Sequence, residues 1–302
     1  MSTLPIEISR RRSEGRSTPV TVTELQQMKE TGAPIVMVTG YDHPSACVLQ
    51  DAGVDMILVG DSAAMVVLGH DSTVPVTVDE MVMLAAAVRR GARIPFVVGD
   101  MPFGSYEASD ELAVANAQRF VKEARCDAVK LEGGGTSARR AAAIAASGIP
   151  VMGHVGLTPQ TATALGGFKA QGKTAGGAAA ILEDALALQA AGCFSIVIEC
   201  VPAAVTELIC DRLSVPTIGI GAGPSTSGQV IVYHDLLGLR AGTDPKFVRR
   251  YADLRDAATS AVGAFAADVR TGTYPGPEHA YAIEPSELSD LRQALDRVAA
   301  GS

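Results

Sequence analysis

The sequence predicts a parallel α/β fold, and within that class a (β/α)8 barrel. Three observations carry the expectation. Short apolar runs alternate with alanine-rich stretches of helical periodicity along most of the chain, the texture of βαβ units whose strands pair in parallel. The runs are almost continuously apolar, as strands covered on both faces must be. Eight such runs recur, and together with their connections they fill about 230 residues, a suitable size for a barrel. A doubly wound open sheet is the rival arrangement.

The elements follow in order. Residues 1–19 read as a flexible leader. Arg10, Arg11, Arg12 and Arg16 stand there without an apolar stretch, which excludes a secretory signal, and Glu7 and Glu14 count against a transit peptide. The first two strands are expected at 35–39 (IVMVT) and 56–60 (MILVG), and a long loop, 62–76, follows the second. A helix is expected from Val78 to Arg90, because Thr77 and Glu80 have the spacing of a capping box. The third strand is 96–99, and the helix after it, 110–124, opens on acidic residues that suit its positive end. The fourth strand is 128–132, followed by a helix at 137–147, and the fifth strand is 151–155. A second long loop, 157–175, carries several glycines, and long loops of this kind are often lids.

Helices at 176–191 and 203–213 flank a sixth strand at 195–200. The seventh and eighth strands are 217–220 and 230–234, and the link 221–229 (GAGPSTSGQ) leaves little room for a helix. A last barrel helix is expected at 245–268, which gives a barrel over 20–283. The remaining segment, 284–302, spaces Leu288, Leu291, Leu295 and Val298 as an amphipathic helix that docks on the barrel or on a neighbouring subunit.

Bulk properties narrow the function. The chain has 302 residues, 47% hydrophobic and 19% charged, with a formal net charge of −8. That balance fits a packed globular protein and argues against a nucleic-acid surface, which needs a basic stripe. Five cysteines, none in a C-x-x-C pair, suit a reduced, cytoplasmic setting. No apolar run reaches the length of a membrane span.

Four of the expected strands finish at a carboxylate: Asp61, Asp100, Glu132 and Glu199. In a barrel the C-terminal strand ends form the active-site mouth, so these groups would converge. A lone acid at a strand end is ordinarily a cap or a loop hydrogen-bonder. Four together repel one another, and a divalent cation relieves that conflict. Oxygen ligands without cysteine favour Mg²⁺. Lys130 lies two residues before Glu132 and so on the same side of the strand. It is either a structural ion-pair partner or the holder of a substrate anion. His154, ending the fifth strand, is either a satisfied barrel histidine or a donor to a substrate oxygen. Gly219, Gly221 and Gly223 do not make a dinucleotide site, because no long helix and acidic residue follow them.

The ordered segments ILVGDS, GHDSTVPVT, GDMPF, VKLEGG, GHVGLTPQ, GGFKAQGK, IECVP, IGIGAG and TYPGPEH resemble the ketopantoate hydroxymethyltransferase family over about residues 20–281. The resemblance implies a barrel of the phosphoenolpyruvate/pyruvate type. It implies hydroxymethyl transfer from 5,10-methylenetetrahydrofolate to 3-methyl-2-oxobutanoate, giving 2-dehydropantoate for pantothenate and coenzyme A synthesis. It also implies Mg²⁺, an enolate that the cation stabilises, and a homodecamer. By the same resemblance Asp61 and Asp100 bind the metal, and Glu132 is the third acidic group. Ser62 and Lys130 match substrate-contacting positions, and Glu199 is the proton acceptor. Phe168 stands where a tyrosine is common. Two other readings stay open: a related carbon–carbon lyase on another 2-oxo acid, and a catalytically silent scaffold. The lyase ordinarily carries a loop cysteine, and neither long loop has one. The scaffold would be expected to have lost one of the acids or Lys130.

Overall fold

A computed structural model describes residues 17–301. The leader expected at 1–19 therefore lies almost wholly outside the described residues. The chain divides into two compact units, one running through Ala252 and one from Asp253 onward.

In the first unit eight parallel strands close a barrel in sequence order. They are β1 (Ile35–Thr39), β2 (Met56–Val59), β3 (Phe96–Asp100), β4 (Ala128–Lys130), β5 (Val151–Gly156), β6 (Ser195–Glu199), β7 (Thr217–Ile220) and β8 (Gly228–Ile231). Closure is made by β8 pairing with β1, Gly228 opposite Ile35. The open-sheet alternative is thereby excluded. The eighth strand begins two residues earlier than its apolar run suggested, because Gly228 lets the backbone of Ile35 approach where any side chain would collide.

Helices α1 (Val22–Thr31), α2 (His43–Asp51), a single-turn α3 (Ala63–Val66) and α4 (Val78–Gly91) precede β4. Then come α5 (Asp110–Lys122), α6 (Thr136–Ala146), α7 (Ala175–Ala190), α8 (Ala203–Cys210) and a one-turn α9 (Tyr233–Leu236). The capping box at α4 forms as its spacing required. Thr77 Oγ1 accepts from the Glu80 amide at 3.3 Å, and Glu80 Oε2 accepts from the Thr77 amide at 2.8 Å. The α2 helix was not read from sequence. It too is fixed by a capping box, between Asp42 and Ser45.

Strand alternation splits the core into two clusters. Ile57, Val59, Val97, Val129, Val151, Ile196 and Ile198 pack outward with the helices. Met56, Leu58, Phe96, Val98, Ala128, Met152, Val197 and Ile218 form a second cluster, the barrel interior. Leu25 and Met28 of α1 join that interior cluster, and the Val20 amide donates to the Ile94 carbonyl just before β3. The preceding segment thus plugs the N-terminal end, leaving the C-terminal end of the barrel for chemistry.

The second unit holds α10 (Leu254–Thr271), a short 3-10 turn (Pro277–His279) and α11 (Pro285–Ala300). The helix expected at 245–268 starts nine residues later, at Leu254, and neither long helix buries a residue. Among the described residues no helix is long and apolar enough to cross a membrane.

Candidate active site

Period-two alternation carries the polar residues inward. On β3, Phe96 and Val98 face the barrel interior, so Asp100 does as well. On β4, Ala128 faces in, which aims Lys130 the same way. Met152 sets His154 on β5, and Val197 sets Glu199 on β6. Asp100 and Lys130 are direct register partners across β3 and β4. Asp61 is the exception. It is one step out of phase with Met56 and Leu58, and the turn after Val59 places it.

The structure brings five predicted residues into one buried network. Lys130 Nζ donates to Asp100 Oδ1 and Oδ2 at 2.7 and 2.8 Å, and lies 3.5 Å from Glu132 Oε1. The Asp61 amide donates to Asp100 Oδ2 at 3.2 Å. His154 bridges two acids: Nδ1 is 3.2 Å from Glu132 Oε1, and Nε2 is 3.3 Å from Glu199 Oε2. These are ion-pair distances with poor hydrogen-bond alignment. Asp61, Asp100, Lys130, Glu132 and His154 are all at most 4% exposed.

Burial and crowding set the charges. Burial first, then the Asp100 and Glu132 charges, push the Asp61 carboxyl well above the usual range. Burial also raises Asp100, against the pull of Lys130. Burial works the same way on Glu132, but Lys130 and His154 outweigh it and hold that carboxyl low. Lys130 stays protonated because Asp100, Glu132 and Asp61 overcome its desolvation. Burial opposes the imidazolium of His154, yet Glu132 and Glu199 prevail and push its pKa up to about 9.

Two residues that the sequence did not single out hold this network. Gln160 Nε2 donates to Asp61 Oδ2 at 3.0 Å and to the Met101 carbonyl at 2.9 Å, while its amide donates to Glu132 Oε2 at 3.1 Å. Tyr106 donates its hydroxyl to Gln160 Oε1 at 2.6 Å. The local signal for Gln160 is a polar residue directly after Thr158-Pro159, where the chain leaves β5 into a 3-10 turn. Tyr106 carries no such signal, since its partners are 26 and 54 positions away.

Ser62 and Glu199 link the network to a cavity of about 460 Å³, lined also by residues from the loops after β2, β5 and β8. Ser62 Oγ is 2.9 Å from the Tyr41 hydroxyl. The Glu199 side chain is 16% exposed, unlike the rest of the acids.

Among the described residues, no three His, Cys, Asp or Glu side chains are grouped as a metal site. Mg²⁺ does not require three, since it is commonly held by one or two carboxylates with water and substrate. Asp61 and Asp100 suit that demand. They are adjacent, oxygen-only and buried, and the crowding that raises Asp61 is what a cation would relieve.

A sequence profile of the ketopantoate hydroxymethyltransferase family matches residues 19–277. The 3-methyl-2-oxobutanoate hydroxymethyltransferase of Heliobacterium modesticaldum is 52% identical over 265 residues, which cover 88% of this chain and 96% of that protein. The enzyme of the same name from Chloroflexus aggregans is 53% identical over 269 residues, 89% of this chain and 96% of that protein. A mitochondrial one from Arabidopsis thaliana is 50% identical and covers 92% of this chain and 82% of that protein. Among solved structures, a phosphonopyruvate hydrolase shares the fold at TM-score 0.58 and 14% identity, covering 93% of this chain and 97% of that one. A phosphoenolpyruvate phosphomutase from Streptomyces platensis subsp. rosaceus does so at TM-score 0.57 and 15% identity, with the same coverage of both chains. With the profile spanning most of its length and relatives identical at half their positions, the chain belongs to the ketopantoate hydroxymethyltransferase family.

Proposed function

We propose that the protein transfers a hydroxymethyl group from 5,10-methylenetetrahydrofolate to 3-methyl-2-oxobutanoate, giving 2-dehydropantoate. The observation that carries this, beside family membership, is the buried acid–lysine–histidine network opening onto one cavity through Ser62 and Glu199. We assign Asp61 and Asp100 as holders of Mg²⁺, with Glu132 as the third acidic group. When bound, the cation supplies Lewis acidity toward the keto oxygen of a 2-oxo acid.

The chain's own residues do the rest. Lys130 keeps a fixed positive charge against Asp100 and Glu132, and that charge also balances the carboxylate or enolate of the substrate. Ser62, held by Tyr41, donates to a substrate oxygen. Glu199 takes the proton from C3, being the one acid of the set on the cavity wall. His154, charged at neutral pH, orients the Glu199 carboxylate from behind. Water adding to the folate methylene expels the folate nitrogen and frees that carbon at the formaldehyde level; the carbon nucleophile attacks it, and its oxygen, protonated by the acid form of Glu199, becomes the hydroxyl of the hydroxymethyl group. The setting we infer is cytoplasmic, with a homodecameric assembly whose mass light scattering measures directly.

Proton exchange tests this reading. The protein, incubated with 3-methyl-2-oxobutanoate in D₂O, is expected to exchange the C3 proton with Mg²⁺ and to stop with chelator. Glu199→Gln is expected to abolish exchange. Undiminished exchange in that variant would remove Glu199 from its role, and exchange without ketopantoate formation on adding methylenetetrahydrofolate would favour the lyase reading.

A further inference from the structure

The network accounts for Ser62 and Glu199 but not for the rest of the cavity. Its volume, about 460 Å³, exceeds what a five-carbon keto acid fills and lies in the range of pockets for larger ligands. The loop after β5, the one-turn α9 and the segment that follows it contribute Phe168, Lys169, Asp235, Arg240 and Phe247 to its wall. Phe168 and Phe247 leave 56% and 36% of their surface exposed. Asp235 does the opposite. It is 5% exposed, and its Oδ1 is buried with no hydrogen-bond partner. Arg240 Nη1 stands 3.9 Å from that oxygen, beyond hydrogen-bond length.

A buried carboxylate oxygen without a donor is costly. Being an acceptor only, it asks a ligand for N–H or O–H groups. The exposed rings ask for a flat, partly apolar face. The keto acid meets neither demand, since it offers anionic oxygens and no planar ring. A reduced pterin is flat over most of its area and presents its 2-amino group and N3–H side by side. That edge matches a carboxylate as a guanidinium fork does. Lys169 and Arg240 add positive charge beside it, suited to the anionic glutamyl tail.

We propose that this part of the cavity seats the pterin ring of the folate cosubstrate, with Asp235 accepting from its 2-amino and N3–H edge and Phe168 and Phe247 offering stacking faces. The assignment rests on the transfer reaction proposed above and names the residues that select its one-carbon donor.

Calorimetric titration of the full chain with tetrahydrofolate tests it. Asp235→Asn is expected to weaken binding at least tenfold, and Phe168→Ala several-fold. The analogue with methyl in place of the 2-amino group is expected to bind the unaltered chain at least tenfold more weakly than tetrahydrofolate. It should lose little more in Asp235→Asn, since the partner is already gone. Equal affinity of the two ligands for the unaltered chain overturns the proposal, and needs no variant to fold. So does undiminished tetrahydrofolate binding by an Asp235→Asn protein of normal melting temperature, or no binding by the unaltered chain. C3 exchange in the unaltered chain, which needs no folate, reports on the transfer reaction separately. Its presence beside a failed subsite leaves that reaction standing.

Discussion

Replacing Lys130 with Met isolates what one buried cation does for the network. The methionine keeps the length of the side chain and removes its charge. Asp100 then loses two contacts of 2.7 and 2.8 Å, and Glu132 loses one of 3.5 Å. Water cannot replace them readily, because the Lys130 and Asp100 side chains are only 4% and 2% exposed. Removing one partner of a buried ion pair costs about 3–5 kcal/mol. For a barrel of this size that lowers the melting temperature by about 6–20 °C. Protonation of Asp100 limits the loss, since burial already raises that carboxyl. The informative comparison is the double variant Lys130→Met/Asp100→Asn. With both charges gone, position 100 holds no unpaired ion and Glu132 still faces His154 at 3.2 Å, so the cost should fall below the sum of the two singles by about 1–3 kcal/mol. Thermal melts of the four proteins, read by circular dichroism without added metal, measure this. Strictly additive losses would refute the claim that the two side chains act as one unit.

The packing around the network and the barrel wall carries three further outcomes. Gln160→Leu strips donors from Asp61 and the Met101 carbonyl and leaves the Tyr106 hydroxyl only its long 3.5 Å contact to the Glu132 carbonyl; a loss of about 1–3 kcal/mol is expected in a denaturant titration. Gly99→Ala drives a methyl into the Phe120 ring beneath β3, and overpacking of this kind costs about 1–3 kcal/mol, which the same titration would show as a lower midpoint. Burial pushes the Cys126 and Cys193 thiols up to about 12. Only about one part in ten thousand is then thiolate at pH 8, and mass spectrometry should find both unmodified by iodoacetamide until the protein is denatured.

Much of the barrel was legible because its signals are local. Apolar runs bounded by turn residues marked the strands, and Thr77 with Glu80 marked a helix start within one turn. That Lys130 and Glu132 share one side of the chain followed from strand alternation alone. Asp61 defied alternation, and only its strand-end position drew attention to it. Gln160 and Tyr106 went unnoticed because their importance lies in partners far along the chain, which no window of sequence contains. The helix expected at 245–268 misled for a related reason. Its apolar residues have helical spacing, but Val262, Phe265 and Val269 of α10 are 66%, 53% and 49% exposed, so periodicity reported a helix without reporting what it packs against.

The pairing of Asp100 with Lys130 in the β3–β4 ladder has a bearing on assembly of the sheet. A slip of one residue between these strands would turn the lysine out among the apolar side chains beneath α5 and α6 and strand the aspartate inside. Misaligned barrels are thereby penalised before any ligand arrives. The same two charges that we assign to the active site proofread the closure of the protein that carries them.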